Sequence, residues 1–233
     1  MTENRTTTPS DLLVTISNPR SPMSEAYRTL RTNLQFVSLD KPLQTLLVTS
    51  PGPEEGKSTM LANLAVTMAQ GEKKVILADC DLRRPSLHKL FGLYQTTGLT
   101  TMMLDDQAMS EPPLQETGVP GLQLLASGPL PPSPPDLLGS RRMDRVLEAL
   151  KERADIVLLD APPVVGVSDA AILATKVDGV MLVVSAGQTK RESVQTSKDM
   201  LDKVNANLIG AVLMNVPLDT SLQYYYTQQE GEE

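Results

Sequence analysis

Short apolar runs alternate along the chain with longer stretches in which apolar residues recur at helical spacing. Such runs, bounded by polar or turn-forming residues, predict buried strands, and the stretches between them predict helices. Strands separated by helices or long crossovers predict an α/β fold, with a mostly parallel sheet flanked by helices on both faces. The predicted strands are Thr45–Thr49, Val75–Ala78, Leu122–Ala126, Ile156–Leu159, Gly179–Val184 and Leu208–Met214. The predicted helices are 24–37, Met60–Gln70, Ser86–Phe91, Asp136–Glu152, Ser168–Lys176 and Arg191–Val204.

A turn rich in glycine and proline joins the first strand to the helix that begins near Met60. Its sequence, Ser50–Thr59, ends in Gly-Lys-Ser-Thr, and a turn of this kind between a strand and a helix is how a phosphate-binding loop is built. Main-chain N–H groups would hold phosphate oxygens, Lys57 would reach the outer phosphates, and Ser58 would hold Mg2+. The alternative is an ordinary strand–turn–helix with an exposed lysine. The predicted nucleotide contacts in the loop are Pro53, Glu54, Glu55, Gly56, Lys57, Ser58 and Thr59.

Acidic residues follow two of the predicted strands. Asp79 and Asp81 come at the end of the second strand, and Asp160 ends the fourth. Ligands bind at the carboxyl ends of the strands in an open α/β sheet, and carboxylates placed there can bind a cation. We therefore expect Ser58 and Asp81 to bind Mg2+ and Asp160 to act on it through water. A solvated acidic turn at Asp79 and Asp81 is the alternative.

The predicted helix 24–37 carries two different faces. Ser24 is its predicted N-cap, and an acidic residue at Glu25 suits the first turn. Glu25, Arg28 and Arg31 are spaced by three and line up along one side of the helix. Taken alone, this side is a solvated charged face with a local ion pair. The apolar residues that share the other side are Tyr27, Leu30, Leu34 and Val37.

Composition narrows the class of protein. The chain has 233 residues, 40% of them hydrophobic but only 3% aromatic, which predicts an aliphatic core. A net charge of -7 argues against a general binder of nucleic acid or of anionic membranes. The single cysteine, Cys80, excludes an internal disulfide and fits a reducing compartment. No apolar run approaches a membrane span, so we expect a cytoplasmic protein that meets a membrane only through a partner.

The pattern divides the chain into three parts. Residues 1–20 are predicted to be a flexible arm, residues 21–218 the folded domain, and residues 219–233 a disordered tail. Three consecutive tyrosines, Tyr224, Tyr225 and Tyr226, stand in the tail, where a core would not need them. Docking of these tyrosines on the domain surface is the alternative.

Together these residues resemble the bacterial tyrosine kinases of capsule and exopolysaccharide synthesis. Gly56–Thr59 resembles the family's Walker A loop, Val75–Arg83 its Walker A′ motif, and Ile156–Asp160 its Walker B strand. The loop is also similar to that of the partition and division-site ATPases, although the lysine that those proteins carry early in the loop is absent. Glu54 stands where many relatives have glycine. The motif Glu25, Arg28 and Arg31 matches the one through which the family forms rings, and Tyr224 to Tyr226 match its tyrosine cluster.

The resemblance implies an ATP- and Mg2+-dependent protein-tyrosine kinase. Such an enzyme would phosphorylate the tyrosine cluster of a neighbouring subunit in the ring, regulate capsule or exopolysaccharide synthesis or export, and work with a separate transmembrane activator. Lys57, Asp79, Asp81 and Asp160 would be catalytic. Asp79 or Asp81 would accept the phenol proton, and the resemblance favours Asp81. Asn215, at the end of the last strand, would contact the adenine.

Two other functions are compatible with the same motifs. A nucleotide-dependent switch of the partition type would hydrolyse ATP and position a partner without kinase activity. A weakly catalytic scaffold of a polysaccharide export complex is suggested by Glu54, because it adds negative charge near the triphosphate. The tyrosine tail and the Glu-Arg-Arg helix favour the kinase.

Overall fold

One sheet organises the part of the chain, residues 12–37 and 42–217, that the computed structural model describes. Its strands are β1 (Thr45–Thr49), β2 (Val75–Asp79), β3 (Gln115–Glu116), β4 (Leu122–Leu125), β5 (Ile156–Asp160), β6 (Gly179–Ser185) and β7 (Leu208–Met214). The helices are α1 (Val14–Ser17), α2 (Pro22–Val37), α3 (Lys57–Gln70), α4 (Leu87–Leu90), α5 (Leu99–Leu104), α6 (Asp106–Ser110), α7 (Pro134–Gly139), α8 (Arg141–Lys151), α9 (Asp169–Ala174) and α10 (Arg191–Lys203).

The six predicted strands are all present and pair in parallel, which confirms the predicted fold class. Their order across the sheet is β3-β4-β2-β5-β1-β6-β7. The additional strand, β3, pairs antiparallel with β4 at one edge. Sequence pattern did not predict it, because two polar residues at a sheet edge leave no apolar run.

Helices cover both faces of the sheet. Strands β1, β2 and β5 are buried along their whole length. Neighbouring residues of a strand point to opposite faces, so Leu46 packs into the apolar layer that contains α3, and Leu47 into the layer that contains α8 and α9. The central strands are therefore packed between two apolar layers, and their carboxyl ends lie along one edge of the sheet.

Two predicted helices differ from the structure. The stretch Asp136–Glu152 forms two helices, α7 and α8, because Ser140 adopts an extended conformation (φ -72°, ψ 157°) that interrupts the helical path. Helix α2 begins at Pro22, so Ser24 is not its N-cap. Ser21 takes that role, since its hydroxyl accepts a hydrogen bond from the Ser24 amide at 3.2 Å. The Ser24 hydroxyl instead donates to Asn18 O at 2.7 Å.

The predicted arm, residues 1–20, is folded where it is described. Helix α1 packs on α2 and α3. Leu13 is buried, and the amide and hydroxyl of Thr15 both donate to Asn63 Oδ1, at 3.1 and 2.9 Å. The prediction of a flexible arm is therefore wrong for residues 12–20, because polar partners in α3 hold a segment whose composition alone favours disorder. No helix within residues 12–37 or 42–217 combines the length and apolar character that crossing a membrane requires.

Candidate active site

The loop between β1 and α3 forms a cradle of unpaired main-chain amides. Helix α3 begins at Lys57, directly after Gly56, which has φ 83°. Glu54 also has a positive φ, 61°. The N–H groups of residues 54–59 donate to no protein acceptor within the described chain. Amides clustered at a helix N-terminus bind anions and favour negative charge, so this loop is suited to phosphate.

Lys57 lies between two carboxylates at the mouth of this loop. Its Nζ is 3.1 Å from Asp81 Oδ2 and 3.2 Å from Asp160 Oδ1. Ser58 Oγ donates to Asp160 Oδ2 at 2.5 Å. Asp160 is fully buried, whereas Asp81 retains slight exposure. The structure thus brings together four of the residues that the sequence predicts for phosphate and Mg2+.

The electrostatics of this cluster follow from burial and close charges. Burial raises the pKa of Asp160, and the ammonium of Lys57 and the Ser58 hydroxyl act against that rise. Burial alone would lower the pKa of Lys57, but the charges of Asp160 and Asp81 outweigh it, so the pKa is raised. Lys57 is therefore held in its charged form, as a phosphate contact requires.

Asp79 forms its hydrogen bonds with the loop after β2 rather than with Lys57 or Ser58. Its Oδ2 accepts hydrogen bonds from the amides of Ser86 and Leu87, each at 3.0 Å, and its Oδ1 accepts from the Asp81 amide at 3.3 Å. Burial, with added repulsion from Asp160, raises the pKa of Asp79 to about 7. The carboxylate thus holds the loop after β2 in place. No group of three His, Cys, Asp or Glu side chains in residues 12–37 and 42–217 is arranged to hold a metal.

The remaining predicted nucleotide contacts lie around the cradle. Pro53 and Glu54 are exposed at the tip of the loop, and Thr59 lies in the first turn of α3. Glu55 is buried, and its carboxylate bonds to the protein rather than facing the cradle. Asn215, with φ 58°, donates from Nδ2 to Ser185 Oγ at 2.8 Å, beside the end of β6.

A cleft of about 510 Å³ opens next to the cluster. Asp81 is the acid that lines it, together with Arg83 and Arg84 from the loop after β2. Arg83 makes a bidentate pair with the fully buried Asp169, with N–O distances of 2.8 and 3.0 Å. Sequence reasoning missed Asp169, because the first residue of a helix gives no sign of a partner 86 residues away. The cleft's other walls are Pro51, Gly52, Pro53, Pro162, Pro163, Val165, Gly166 and Val167.

The residues predicted for oligomerisation are partly engaged within the subunit. Arg28 pairs with Glu25 at 2.8 Å. Arg31 donates from a guanidinium nitrogen to Thr67 O, near the C-terminus of α3, at 2.6 Å. The local ion pair expected of a solvated face is thus present, and Arg31 additionally joins α2 to α3. Tyr224, Tyr225 and Tyr226 lie outside the described residues.

Comparison with known proteins identifies the family. A family model described as "ParA: NUBPL iron-transfer P-loop NTPase" matches residues 43–221. Tyrosine-protein kinase YwqD of Bacillus subtilis is 40% identical over 214 residues, which cover 92% of this chain and 90% of that protein. The chain belongs to the bacterial tyrosine-kinase family of ParA-type P-loop NTPases.

Other members of the bacterial tyrosine-kinase family resemble this chain closely. Tyrosine-protein kinase Etk of Escherichia coli K12 is 33% identical over 211 residues, which cover 91% of this chain but 29% of Etk. The solved structure of the Etk kinase domain has a TM-score of 0.83 and 32% identity, covering 90% of this chain and 82% of that domain. Membership in this family implies nucleotide binding, and the amide cradle with Ser58 and Asp160 fits a nucleotide and Mg2+.

Proposed function

We propose that this kinase transfers the γ-phosphoryl group of ATP to tyrosine, chiefly to Tyr224, Tyr225 and Tyr226 of a neighbouring subunit. The observation that carries the proposal is the position of Lys57, between Asp81 and Asp160 at the start of α3. A charged lysine and two carboxylates therefore lie beside the amide cradle. Phosphoryl transfer depends on such positioning and charge neutralisation more than on covalent help.

Different residues of the site bind the phosphates, the adenine and the Mg2+ ion. The amides of residues 54–59 and the ammonium of Lys57 hold the phosphates, and Asn215 contacts the adenine. Ser58 and Asp81 bind Mg2+, and Asp160 acts on it through water. Mg2+ supplies charge neutralisation at the transferred phosphoryl group. Asp81, Asp160 and Lys57 together carry one net negative charge when ionised, which suits a divalent cation bound there.

Asp81 also accepts the proton of the attacking tyrosine. A phenol has a pKa of about 10 and is mostly protonated at neutral pH. As the phenolic oxygen bonds to the γ-phosphorus, the bond from that phosphorus to the bridging oxygen breaks, ADP leaves, and the phenol proton passes to Asp81. Two observations favour Asp81 over Asp79: Asp81 lines the cleft, and its Oδ2 lies 3.1 Å from Lys57 Nζ. The other oxygen of Asp81, like both oxygens of Asp79, accepts from main-chain amides.

The kinase acts as a ring that forms through Glu25, Arg28 and Arg31, and it works at the cytoplasmic face of the membrane with a separate transmembrane activator. It regulates capsule or exopolysaccharide synthesis or export. The match of these residues to the family's ring motif supports the assembly. The separate activator is supported by the resemblance of the Walker motifs to those of the family.

A mixing experiment tests both the kinase activity and its direction between subunits. A Lys57→Met chain keeps its tyrosines but loses its phosphate contact, and a Tyr224/Tyr225/Tyr226→Phe chain keeps its active site but loses its acceptors. With labelled ATP and Mg2+, each variant alone should form little phosphotyrosine, and the mixture should label the Lys57→Met chain. ATP hydrolysis by the unmodified protein without any phosphotyrosine would favour the partition-type switch, and neither activity would favour the scaffold.

A further inference from the structure

The carboxylate of Glu55 fastens the phosphate loop to the strand beside it. Glu55 is 4% exposed, and its two oxygens accept hydrogen bonds from separate parts of the chain. Oε1 accepts from the Gly52 amide at 2.8 Å, within the loop. Oε2 accepts from the Ser185 amide at 3.2 Å and from the Thr189 hydroxyl at 2.7 Å. Ser185 ends β6 and Thr189 lies just beyond it, so one side chain joins the start of the loop to a neighbouring strand end.

The loop needs a stabilising contact from outside because its backbone conformation is energetically unfavourable. Glu54 and Gly56, on either side of Glu55, both adopt positive φ values, 61° and 83°. The left-handed region is disfavoured for a residue with a side chain, and Glu54 is exposed. The amides of residues 54–59, which have no protein acceptor within the described chain, belong to this same stretch of backbone. Whatever holds Glu55 in place therefore also holds the amide cradle.

The charge of Glu55 also requires an explanation. A carboxylate next to a phosphate site repels phosphate unless its oxygens point elsewhere and are satisfied by donors. Here three donors satisfy both oxygens: Gly52 N holds Oε1 within the loop, and Ser185 N and Thr189 Oγ1 hold Oε2 at the end of β6. Hydrogen bonds to an ionised acceptor are stronger than hydrogen bonds between neutral groups. The negative charge of Glu55 therefore strengthens its hydrogen bonds to the loop and to the end of β6.

We infer that Glu55 is a positioning residue, whose hydrogen bonds to Gly52, Ser185 and Thr189 keep the phosphate loop in its nucleotide-binding shape. Its side chain acts through the loop and does not touch the nucleotide. The connection continues toward the last strand, since Ser185 Oγ accepts a hydrogen bond from Asn215 Nδ2 at 2.8 Å. This inference rests on the proposed function only in taking the nucleotide as the ligand of the loop.

Matched substitutions at Thr189 and Glu55 test this role in the full-length protein, with MgADP as the probe. Thr189→Val removes one donor to Glu55, whereas Thr189→Ser keeps it. Glu55→Gln removes an acceptor, because an amide nitrogen cannot accept from a main-chain N–H. Calorimetry should show affinity for MgADP falling about tenfold for Glu55→Gln, which equals about 1.4 kcal/mol. The affinity for MgADP should fall less in Thr189→Val than in Glu55→Gln, and Thr189→Ser should bind MgADP as tightly as the unmodified protein. Glu111→Gln, at an exposed site, is the control and should also bind MgADP with unchanged affinity.

Hydrogen exchange provides the second readout. The Gly52 amide should exchange faster in Glu55→Gln than in the unmodified protein, because its acceptor is weakened. If Glu55→Gln does not fold, the Thr189 pair decides the question. Unchanged MgADP affinity in a folded Thr189→Val variant, or equal losses in Thr189→Val and Thr189→Ser, would overturn the inference, even if stability fell. A protein that shows the predicted MgADP affinities but makes no phosphotyrosine would support the positioning role and refute the kinase activity.

Discussion

The Leu87 amide donates a hydrogen bond to Asp79 Oδ2 at 3.0 Å, inside the domain. Asp79 is wholly buried, and its pKa is raised to about 7, mainly by burial and further by Asp160. Between pH 4 and pH 7, roughly, the folded chain keeps a proton on Asp79 that the unfolded chain has lost. This residue's contribution to stability is therefore greatest at low pH and is lost as the pH rises through about 7.

The first prediction follows from that pKa. Asp79→Asn removes the titration while keeping an oxygen that can accept from Ser86 and Leu87. The stability of the variant relative to the unmodified protein should therefore increase with pH, by at most about 1.4 kcal/mol per pH unit. Unfolding by denaturant, without nucleotide or Mg2+, from pH 5 to pH 8 measures it. A difference that stays constant over this range would show that Asp79 does not hold the proton.

The second prediction separates the two acids of the Walker A′ motif. From sequence alone both are expected to be catalytic, but of the two it is Asp81 that lies beside Lys57 and lines the cleft. Both oxygens of Asp79 accept from main-chain amides, as one oxygen of Asp81 does. Asp81→Asn should reduce the rate of phosphotyrosine formation by about 10²–10⁴-fold, and Asp79→Asn should reduce it much less. Single-turnover rates at saturating MgATP measure both, with Asp199→Asn on the exposed face of α10 as the control. Equal losses for the two acids would restore Asp79 as a catalytic candidate.

The third prediction concerns Lys57, which affects both catalysis and stability. Lys57→Met should abolish phosphotyrosine formation, because the phosphate contact is lost. The substitution also removes the only cation within hydrogen-bond distance of Asp160 in the described chain. Breaking a buried pair by removing one partner is strongly destabilising, on the order of 3 kcal/mol. The variant should therefore unfold more easily than the unmodified protein at neutral pH.

Mg2+ and acid should each restore part of this lost stability. Mg2+ replaces the missing positive charge, and acid neutralises Asp160, whose pKa is already raised by burial. Thermal unfolding with and without Mg2+, at neutral and at acid pH, measures both effects. Lys89→Met, at an exposed position on α4, is the control and should show neither. No rescue of Lys57→Met by Mg2+ would contradict the metal site at Ser58, Asp81 and Asp160.

Sequence pattern predicted the parts of this protein that depend on local periodicity. The central strands appear as apolar runs because both of their faces are buried, and Gly56-Lys57-Ser58 appears because a phosphate loop is contiguous in sequence. The contacts that shape the site are not contiguous. Glu55 meets Thr189 across 134 residues and Arg83 meets Asp169 across 86. A polar side chain gives no periodic signal of such a partner, so Glu55 was interpreted as a nucleotide contact and Asp169 was not identified.

The last prediction concerns the ring. In the proposed assembly, Glu25, Arg28 and Arg31 pair with carboxylates of the next subunit, and head-to-tail contacts close when the rotation permits. Phosphorylation of Tyr224, Tyr225 and Tyr226 adds about -1.5 to -2 charges per site, near a tail that already carries Glu230, Glu232 and Glu233. Repulsion from the acidic active site should expel the tail. The Tyr224/Tyr225/Tyr226→Phe variant should therefore be a ring, and the phosphorylated protein a monomer.

The two arginines should differ, because Arg31 joins two helices of the subunit, α2 and α3. In the Tyr→Phe background, Arg28→Ala and Arg31→Ala should each yield monomers by sedimentation. Arg28 loses a half-exposed pair with Glu25 and a hydrogen bond to Pro19 O in an exposed position; surface contacts of this kind contribute little to stability. Arg31 loses its hydrogen bond to Thr67 O, which joins α2 to α3, so the Arg31→Ala monomer should melt at a lower temperature than the Arg28→Ala monomer. If both variants remain as large as their parent, the ring motif is not an interface in this chain. Glu25 and Arg28 would then form only a local ion pair, and Arg31 would serve to join α2 to α3 through its hydrogen bond to Thr67 O.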